Sequence, residues 1–425
     1  MAYGKCYHPF LRRWPCLFAA RIRPWQAPKP RPDSVFGRIM TKSVATEHYN
    51  PLPLSMLGEA LAAYLADAPG AADFQDFAKG VVLLYDAQFS QKLEHLKRLY
   101  FPFNPEREVT LPEWPGRDKG RLLREIRALL REANFQPLDQ AAIEAALNKT
   151  SPHGVEVSVD LREFEEVLIF FRGSCVRSEE PAWWRRLLGK TEPVEIPIYQ
   201  RLFVLLQLRS AARHGMPTPI HIKVFREIPH SDLETLFPNT KVRLRRIDKI
   251  KLGVTGGGGA VGGFLSAVGK LTAAASPMAA LGAIGAMAGI IWKQVDNVLR
   301  QRTEYMAKLA KSLYFYNLDN DAGALAWLVE TASSEEAKEV LLAYAMLHRQ
   351  GPMTAEALDR AVEGFLKARF GISINYQVRD GVRKLAELGL LHRAGDGVLG
   401  VPGPCAACRR LEQIWDALFP VPGNE

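Results

Sequence analysis

Two cysteines near the end of the sequence are the first candidates for chemistry. Cys405 and Cys408 are separated by two alanines, which is the spacing of half a zinc site or of a redox pair. The sequence has no second pair of this kind and no pair of histidines that would complete a zinc site. Zinc binding and redox chemistry therefore stay open beside a simpler interpretation, two ordinary reduced thiols, which we favour.

Three glutamates are the second candidate, because neighbouring carboxylates can act as a general acid and base. Glu163, Glu165 and Glu166 are close in sequence, but strand alternation places the first two on one face and Glu166 on the other. We interpret them as a solvated strand. The sequence also lacks the motifs G-x-S-x-G and H-E-x-x-H. We therefore assign no catalytic, cofactor-binding or metal-binding residue, expect no cofactor, and favour a protein that is not an enzyme.

An acidic stretch further along resembles the start of a calcium-binding loop. Asn317, Asp319 and Asp321 have the spacing of its first ligands. Ala322 stands where such a loop needs glycine, and Leu328 stands where it needs a bidentate glutamate. The pattern favours capping of the following helix instead.

A glycine- and alanine-rich stretch, residues 252–292, organises the rest of the sequence. Its only charged residue, Lys270, divides it into residues 252–269 and 271–292, and about 20 apolar residues make a membrane-spanning helix. Basic residues flank both ends, which by the positive-inside rule places both flanks on one side of a membrane. The stretch predicts a two-helix membrane hairpin, with a buried hairpin of a soluble protein as the alternative. A phosphate-binding loop is excluded, because the motif around Lys270 lacks its first glycine and its Ser or Thr.

The net charge of +9 comes almost entirely from one end of the sequence. Residues 1–46 contain nine basic side chains and one acid, Asp33, so the remainder is nearly neutral and charge indicates no nucleic-acid partner. Residues 1–40 lack the apolar segment of a secretory signal. They are either a mitochondrial transit peptide over residues 1–39 or a mis-assigned start ahead of Met40, which we favour. Both interpretations predict disorder.

The spacing of apolar residues divides the remaining chain. Helical spacing predicts a helical region over residues 41–150, and short runs rich in Val, Ile and Phe predict a small α/β unit over residues 155–245. Within that unit, residues 202–208 fit either a helix or a strand. Residues 293–333 are expected to be connecting helices.

Residues 334–402 have the element order of a winged helix, and residues 403–425 form a tail. In DNA-binding relatives the third helix enters the major groove. Here the exposed face of that helix is nearly balanced in charge, with Arg379, Arg383 and Lys384 beside Asp380 and Glu387. This balance is weak for phosphate binding, so we favour a module that contacts a protein or is purely structural.

From about residue 198 to residue 391 the sequence resembles the transmembrane protein 143 family, whose shared region is called domain of unknown function 3754. The matching stretches are IPIYQRLFVLLQL, IHIKVFREIPHSDLETLFPNTKVRLRRIDKIKLG, the glycine-rich stretch, and SLYFYNLDNDAGALAWLV followed by EEAKEVLLAYAML. The upstream tripeptide Phe171-Arg172-Gly173 also fits. The resemblance implies a two-span protein of a bacterial membrane or the mitochondrial inner membrane, and it supplies no catalytic residues.

The sequence thus predicts a mostly helical α+β protein with an N-terminal helical region, a sheet-containing unit, a two-helix membrane hairpin and a C-terminal winged-helix-like module. Its predicted function is a scaffold or regulator anchored in the bacterial inner membrane or the mitochondrial inner membrane, with both soluble parts on the cytoplasmic or matrix side. Its predicted partners are the lipid bilayer and a protein, or a second copy through small residues such as Gly285 and Gly289.

Two other functions stay open. One is an oligomeric pore or transport component built from the hairpins. The other is an enzyme in residues 155–245 that no motif reveals, which a pocket lined by convergent polar groups would favour.

Overall fold

The chain folds into helices packed against an antiparallel sheet. A computed structural model describes residues 41–43, 48–109, 118–139, 141, 143, 155–158, 160–179, 194–209, 217–237, 241–244, 316–394 and 397–418. The helices of this part are α1 (Leu54–Tyr64), α2 (Ala71–Tyr100), α3 (Lys119–Glu132), α4 (Asp321–Gln350), α5 (Ala355–Phe370), α6 (Val378–Glu387) and α7 (Pro404–Leu418). The strands are β1 (Thr41–Ser43), β2 (Gln136–Pro137), β3 (Val155–Ser158), β4 (Phe164–Glu179), β5 (Val194–Leu208), β6 (Ile220–Pro229), β7 (Lys241–Leu244), β8 (Asn317–Asn320), β9 (His392–Arg393) and β10 (Leu399–Gly400).

The main sheet has the strand order β1-β4-β5-β6-β8, and β2 also pairs with β4. All of its neighbouring strands are antiparallel, and β4 and β5 pair over their full length. Residues 202–206 of β5 are all buried, because β5 is central and both of its faces are covered. A strand of this kind is a continuous apolar run, so the stretch that fitted helix or strand is a strand.

Side-chain alternation along the sheet divides the core in two. Phe203, Leu205 and Val224 face the helices and join the larger hydrophobic cluster. Leu202, Val204 and Leu206 face the opposite side, in a second cluster with Phe164, Leu236 and Phe237.

The central element is α4, which packs against helices on several sides and against β6. It is buried from Ala324 to Leu347 over most of its length and runs without a break across the predicted boundary at residues 333 and 334. Its first residue, Asp321, accepts hydrogen bonds from the Tyr100 hydroxyl at 2.8 Å and from the Ile222 amide at 2.9 Å. The helix is therefore fixed to both the sheet and α2.

The C-terminal elements follow α4 in the order of a winged helix. Helices α5 and α6 precede the hairpin β9–β10, and Met353 forms a β-bridge with Leu399 of that hairpin. The division of the chain into domains stays a prediction.

The described helices do not support the membrane hairpin of the predicted fold class. In the described part of the chain, no helix has both the length and the apolar composition to cross a bilayer. The two 30-residue helices, α2 and α4, reach the length, but charged side chains interrupt their apolar residues. The mixed α+β class stands, whereas the integral membrane protein, its membrane location and the pore are not retained. The predicted partners stay predictions. The predicted spans, residues 252–269 and 271–292, lie outside the described residues, as does the leader, residues 1–40.

Candidate ligand-binding site

The candidate site lies where three neighbouring strands depart from regular geometry in the same transverse row. Gly173 of β4 has a φ of +78°, and Glu227 of β6 has a φ of +53°. By the strand register, Gln200 of β5 lies between them. A positive φ is rare for a residue other than glycine and often marks a functional site.

The side-chain alternation of β5 reverses at this row. Leu202 and Val204 face the second hydrophobic cluster, so regular alternation would place Gln200 there too. Instead Tyr199 packs in that cluster, and Gln200 turns toward a cavity on the other face. Gly173 is required beside it: a Cβ atom there would lie 3.0 Å from Cε1 of Tyr49 and closer still to the Gln200 amide.

The cavity has a volume of about 340 Å³ and lies between β4, β5, β6, the segment before α1, and α4. We call it the Arg172 cavity. Its lining consists of Tyr49, Asn50, Pro51, Arg172, Cys175, Ile198, Gln200, Arg201, Glu227, Glu335 and Lys338. Three cations and two carboxylates thus converge on one small space.

Three arginines lie directly opposite one another on adjacent strands. Arg172 of β4 pairs in register with Arg201 of β5, which pairs with Arg226 of β6. Like charges at directly opposed positions destabilise a sheet. Since Arg172 and Arg201 both line the cavity, an anion bound there would offset their repulsion.

The Arg172 guanidinium is held by aromatic rings and one carboxylate. It lies 4.8 Å from the Tyr49 ring centroid and 5.2 Å from that of Phe135, and its Nη1 lies 3.6 Å from Oε1 of Glu335. Burial lowers the pKa of Arg172, Arg201 adds to this, and Glu335 opposes both; an arginine nevertheless stays protonated. Its Nε is buried and has no hydrogen-bond acceptor.

Asn50 supplies a second buried donor without an acceptor. The residue is 5% exposed; its Oδ1 accepts from the Leu52 backbone amide at 3.0 Å, and its backbone N–H donates to Oε2 of Glu335 at 3.3 Å. Its Nδ2 has no partner. Each buried polar group left unpaired costs about 1–3 kcal/mol. Two such donors, on two residues that line one cavity, suit the oxygens of an anionic ligand.

A second, larger cleft of about 500 Å³ lies on the α3 and α6 side of α4, and we call it the Glu336 cleft. Its lining consists of His48, Ala128, Arg131, Glu132, Asn134, Phe135, Gln136, Glu336, Glu339, Gln377, Asp380, Arg383 and Lys384. Lys384 is 2% exposed at its side chain, and its Nζ lies 2.7 Å from Oε1 of Glu336 and 2.6 Å from Oε2 of Glu339. None of these lining side chains has a buried polar atom without a partner.

Burial sets the protonation of this cleft. It raises the pKa of Glu336 to about 7, against the attraction of Lys384, and it raises the pKa of Glu339 as well. Burial by itself would lower the pKa of Lys384, but the attraction of Glu339 and Glu336 outweighs it and the pKa is raised. Two carboxylates thus share one ammonium group, and a proton on one of them relieves the excess negative charge.

The cysteine pair lies at the start of α7, where Cys408 Sγ is 3.7 Å from the Asp73 carbonyl. Burial raises the pKa of Cys408 to about 12, and a thiol that stays protonated is a poor ligand and nucleophile. Across the described residues, no group of three or more His, Cys, Asp or Glu side chains is placed to hold a metal ion.

The other sequence candidates have structural roles. Lys119 forms ion pairs with both Glu165 and Glu166, because a register shift after Phe164 breaks the alternation that predicted opposite faces. Asp321 of the calcium-like stretch is the buried anchor of α4. The sequence patterns did not predict the residues of the Arg172 cavity. One signal was present: the four charged residues of EEAKE, residues 335–339, interrupt an otherwise apolar helix.

A comparison with known protein families matches a region of the chain that includes part of the candidate site. Residues 164–323 match the model of a family described as a protein of unknown function (DUF3754). The match includes β4, β5 and β6 and therefore the strand wall of the Arg172 cavity, whereas Asn50, Glu335 and Lys338 lie outside it. No solved structure matches the chain. The shared region is thus a domain of unknown function.

Proposed function

We propose that the Arg172 cavity binds a small anion and that the protein is a ligand-binding protein. The observation that carries this proposal is a pair of buried donors without acceptors, Arg172 Nε and Asn50 Nδ2, on two residues that line one cavity. A carboxylate or phosphate would supply the acceptor oxygens and offset the opposed charges of Arg172 and Arg201. A volume of about 340 Å³ suits a ligand of few atoms, at the small end of ligand sites.

The proposal is binding without catalysis. The one deeply buried carboxylate of the cavity, Glu335, already accepts hydrogen bonds from Lys338 Nζ at 2.9 Å and from the Asn50 amide at 3.3 Å. It is therefore a poor candidate for a general base. A ligand would instead join the segment before α1, the sheet and α4, and would stabilise the fold in proportion to its occupancy.

Calorimetry and thermal unfolding test the proposal with acetate, succinate and inorganic phosphate at constant ionic strength. At least one of them should raise the melting temperature above the value in chloride. Asn50→Asp keeps the shape and the hydrogen bond to Leu52 but replaces the donor by a negative charge, so it should weaken binding about tenfold or more.

Asn104→Asp is the matched control, because Asn104 makes the same kind of bond to the Glu106 amide, at 3.0 Å, outside the cavity. It should bind the anion as the native protein does. Equal binding by the Asn50 variant, or no stabilisation by any of the three anions, would contradict the proposal.

Two finer hypotheses from the sequence are kept as proposals. We infer that residues 334–402 contact a protein or are structural, since Lys384 is buried and Arg383 pairs with Glu387 and Asp380. Fluorescence anisotropy with duplex DNA tests this, and salt-sensitive submicromolar binding that Arg379→Ala weakens would contradict it.

We also propose that the chain is related to the transmembrane protein 143 family. The sequence stretches quoted above support this relation, and the membrane topology of that family is not part of the proposal.

A further inference from the structure

We infer that Cys175 is a modification site for small electrophilic carboxylates held in the Arg172 cavity. The inference rests on the proposed anion site. It adds a ligand class, a carboxylate with its reactive carbon close to the acid group, and it adds the protein atom that would react.

The Cys175 thiol lies beside the anion-binding groups. Cys175 follows Arg172 on β4 by three residues, lines the same cavity, and is 2% exposed. Its Sγ lies 3.6 Å from Nε2 of Gln200, and Oε1 of Gln200 accepts a hydrogen bond from the Tyr49 hydroxyl. The Tyr49 ring in turn packs on the Arg172 guanidinium at 4.8 Å. Two side chains thus connect the thiol to the cation, and the inference requires a reagent to reach Sγ through the cavity that Cys175 lines.

The two buried donors without acceptors favour a carboxylate in particular. Arg172 Nε and Asn50 Nδ2 belong to different elements, and the two oxygens of one planar carboxylate can accept from both. Asn50 gives independent support, because it is almost fully buried and its side-chain Nδ2 has no hydrogen-bond acceptor. A carboxylate fixed there would hold its neighbouring carbon atoms within the small volume that Cys175 also lines.

The chemistry balances for two kinds of reagent. With iodoacetate, the sulfur attacks the methylene carbon, the S–C bond forms, the C–I bond breaks, iodide leaves and the thiol proton passes to solvent. With an α,β-unsaturated acid, the sulfur adds to the β carbon and the proton ends on the α carbon, so nothing leaves. In both reactions the carboxylate is unchanged and is available to Arg172 and Asn50.

Parallel alkylation of the full-length native protein by iodoacetate and iodoacetamide tests the inference. The two reagents differ in whether they carry the carboxylate, and site-resolved mass spectrometry gives separate rates at Cys175, Cys405 and Cys408. The ratio of the iodoacetate rate to the iodoacetamide rate should be about tenfold higher at Cys175 than at Cys405. Acetate should slow the reaction of iodoacetate at Cys175 alone.

Two variants sharpen the result. Asn50→Asp should reduce the ratio at Cys175 to that at Cys405, whereas Asn104→Asp should leave it unchanged. A Cys175 that reacts with neither reagent before denaturation is a core thiol, and the inference would fail while calorimetric binding of acetate could still stand. Equal ratios at Cys175 and Cys405 would also overturn it. Competition by phosphate but not by acetate would reject the carboxylate class and leave the proposed anion site intact.

Discussion

The two sides of α4 resolve a charge imbalance in opposite ways. At the Arg172 cavity, Arg172 and Asn50 each have a buried nitrogen without a hydrogen-bond partner. In the Glu336 cleft, two buried carboxylates share Lys384, and every buried polar atom of the lining has a partner. Under the proposed function an anion from outside would relieve the first imbalance, whereas a proton relieves the second. A buried charged residue is therefore evidence for a ligand only where its hydrogen bonds are incomplete.

The two regions are also physically adjacent. Asn134 donates from one amide nitrogen to Oε1 of Glu339 at 3.1 Å and to Oε2 of Glu335 at 3.4 Å. A substitution in the Arg172 cavity or in the Glu336 cleft can therefore be made while the other region is observed.

The largest effect is expected from Lys384→Met. This change leaves Glu336 and Glu339 buried without their cation, and breaking a buried pair in this way costs about 3–5 kcal/mol. Denaturant unfolding at pH 8 measures it. Arg383→Met is the neighbouring control: Arg383 also contacts two carboxylates, but its side chain is 52% exposed, so the loss should stay below about 1 kcal/mol. Similar losses in the two variants would mean that the cleft is not a buried network.

The second prediction is a pH dependence that Glu336 produces. Its pKa is about 7 in the fold and 4.5 when exposed, so the folded state holds the proton more tightly. The resulting stabilisation is complete below about pH 4.5 and is lost as the pH rises through 7, by up to ~3 kcal/mol at ~1.4 kcal/mol per pKa unit. Unfolding free energies between pH 5 and 8 measure the slope. Glu336→Gln should flatten this slope, and an unchanged slope would assign the effect to another group.

Gly173→Ala should give the third-largest effect, on the cavity side. A positive φ and the close approach to Tyr49 and Gln200 together predict a loss of roughly 1–3 kcal/mol and weaker anion binding. Gly371→Ala separates the two causes, because Gly371 has a φ of +69° with open space around its Cβ position. Thermal unfolding should show the larger loss at Gly173. A loss no greater than that of Gly371→Ala would show that the crowding has no cost.

The smallest effect is expected from Glu227→Gly. Glycine adopts a φ of +53° freely, whereas the ion pair it removes, with Arg177, involves a glutamate side chain that is 51% exposed. The net change should lie between zero and a gain of about 1 kcal/mol, with tighter anion binding because a carboxylate leaves the cavity. Glu227→Ala removes the carboxylate without relieving the backbone and should be less stable than the glycine variant. The reverse order in an unfolding titration would show that this φ stores no strain.

Several elements could be predicted from the sequence because their patterns are local. The change of period at Val155 marks the first strand of the sheet-containing region, and the run VEIPIYQRLFVLLQL coincides with β5. The membrane hairpin was predicted from apolar length, basic flanks and small-residue spacing, and the described helices give it no support. The site could not be predicted, because Asn50 and Glu335 meet across 285 positions of sequence. No spacing rule connects residues so far apart.

The mixed α+β class follows from the amino-acid sequence, because hydrophobic periodicity is a property of neighbouring residues. Which charged residues are buried depends instead on the packing of distant segments. On an isolated helix, EEAKE would form a solvated face with one ion pair three residues apart, between Glu335 and Lys338. It is buried here because α4 is enclosed by helices and the sheet, so its charges must pair with Arg172, Asn134 and Lys384. The same enclosure removes water from two donor nitrogens, and that removal is what turns a gap in the packing into a candidate site.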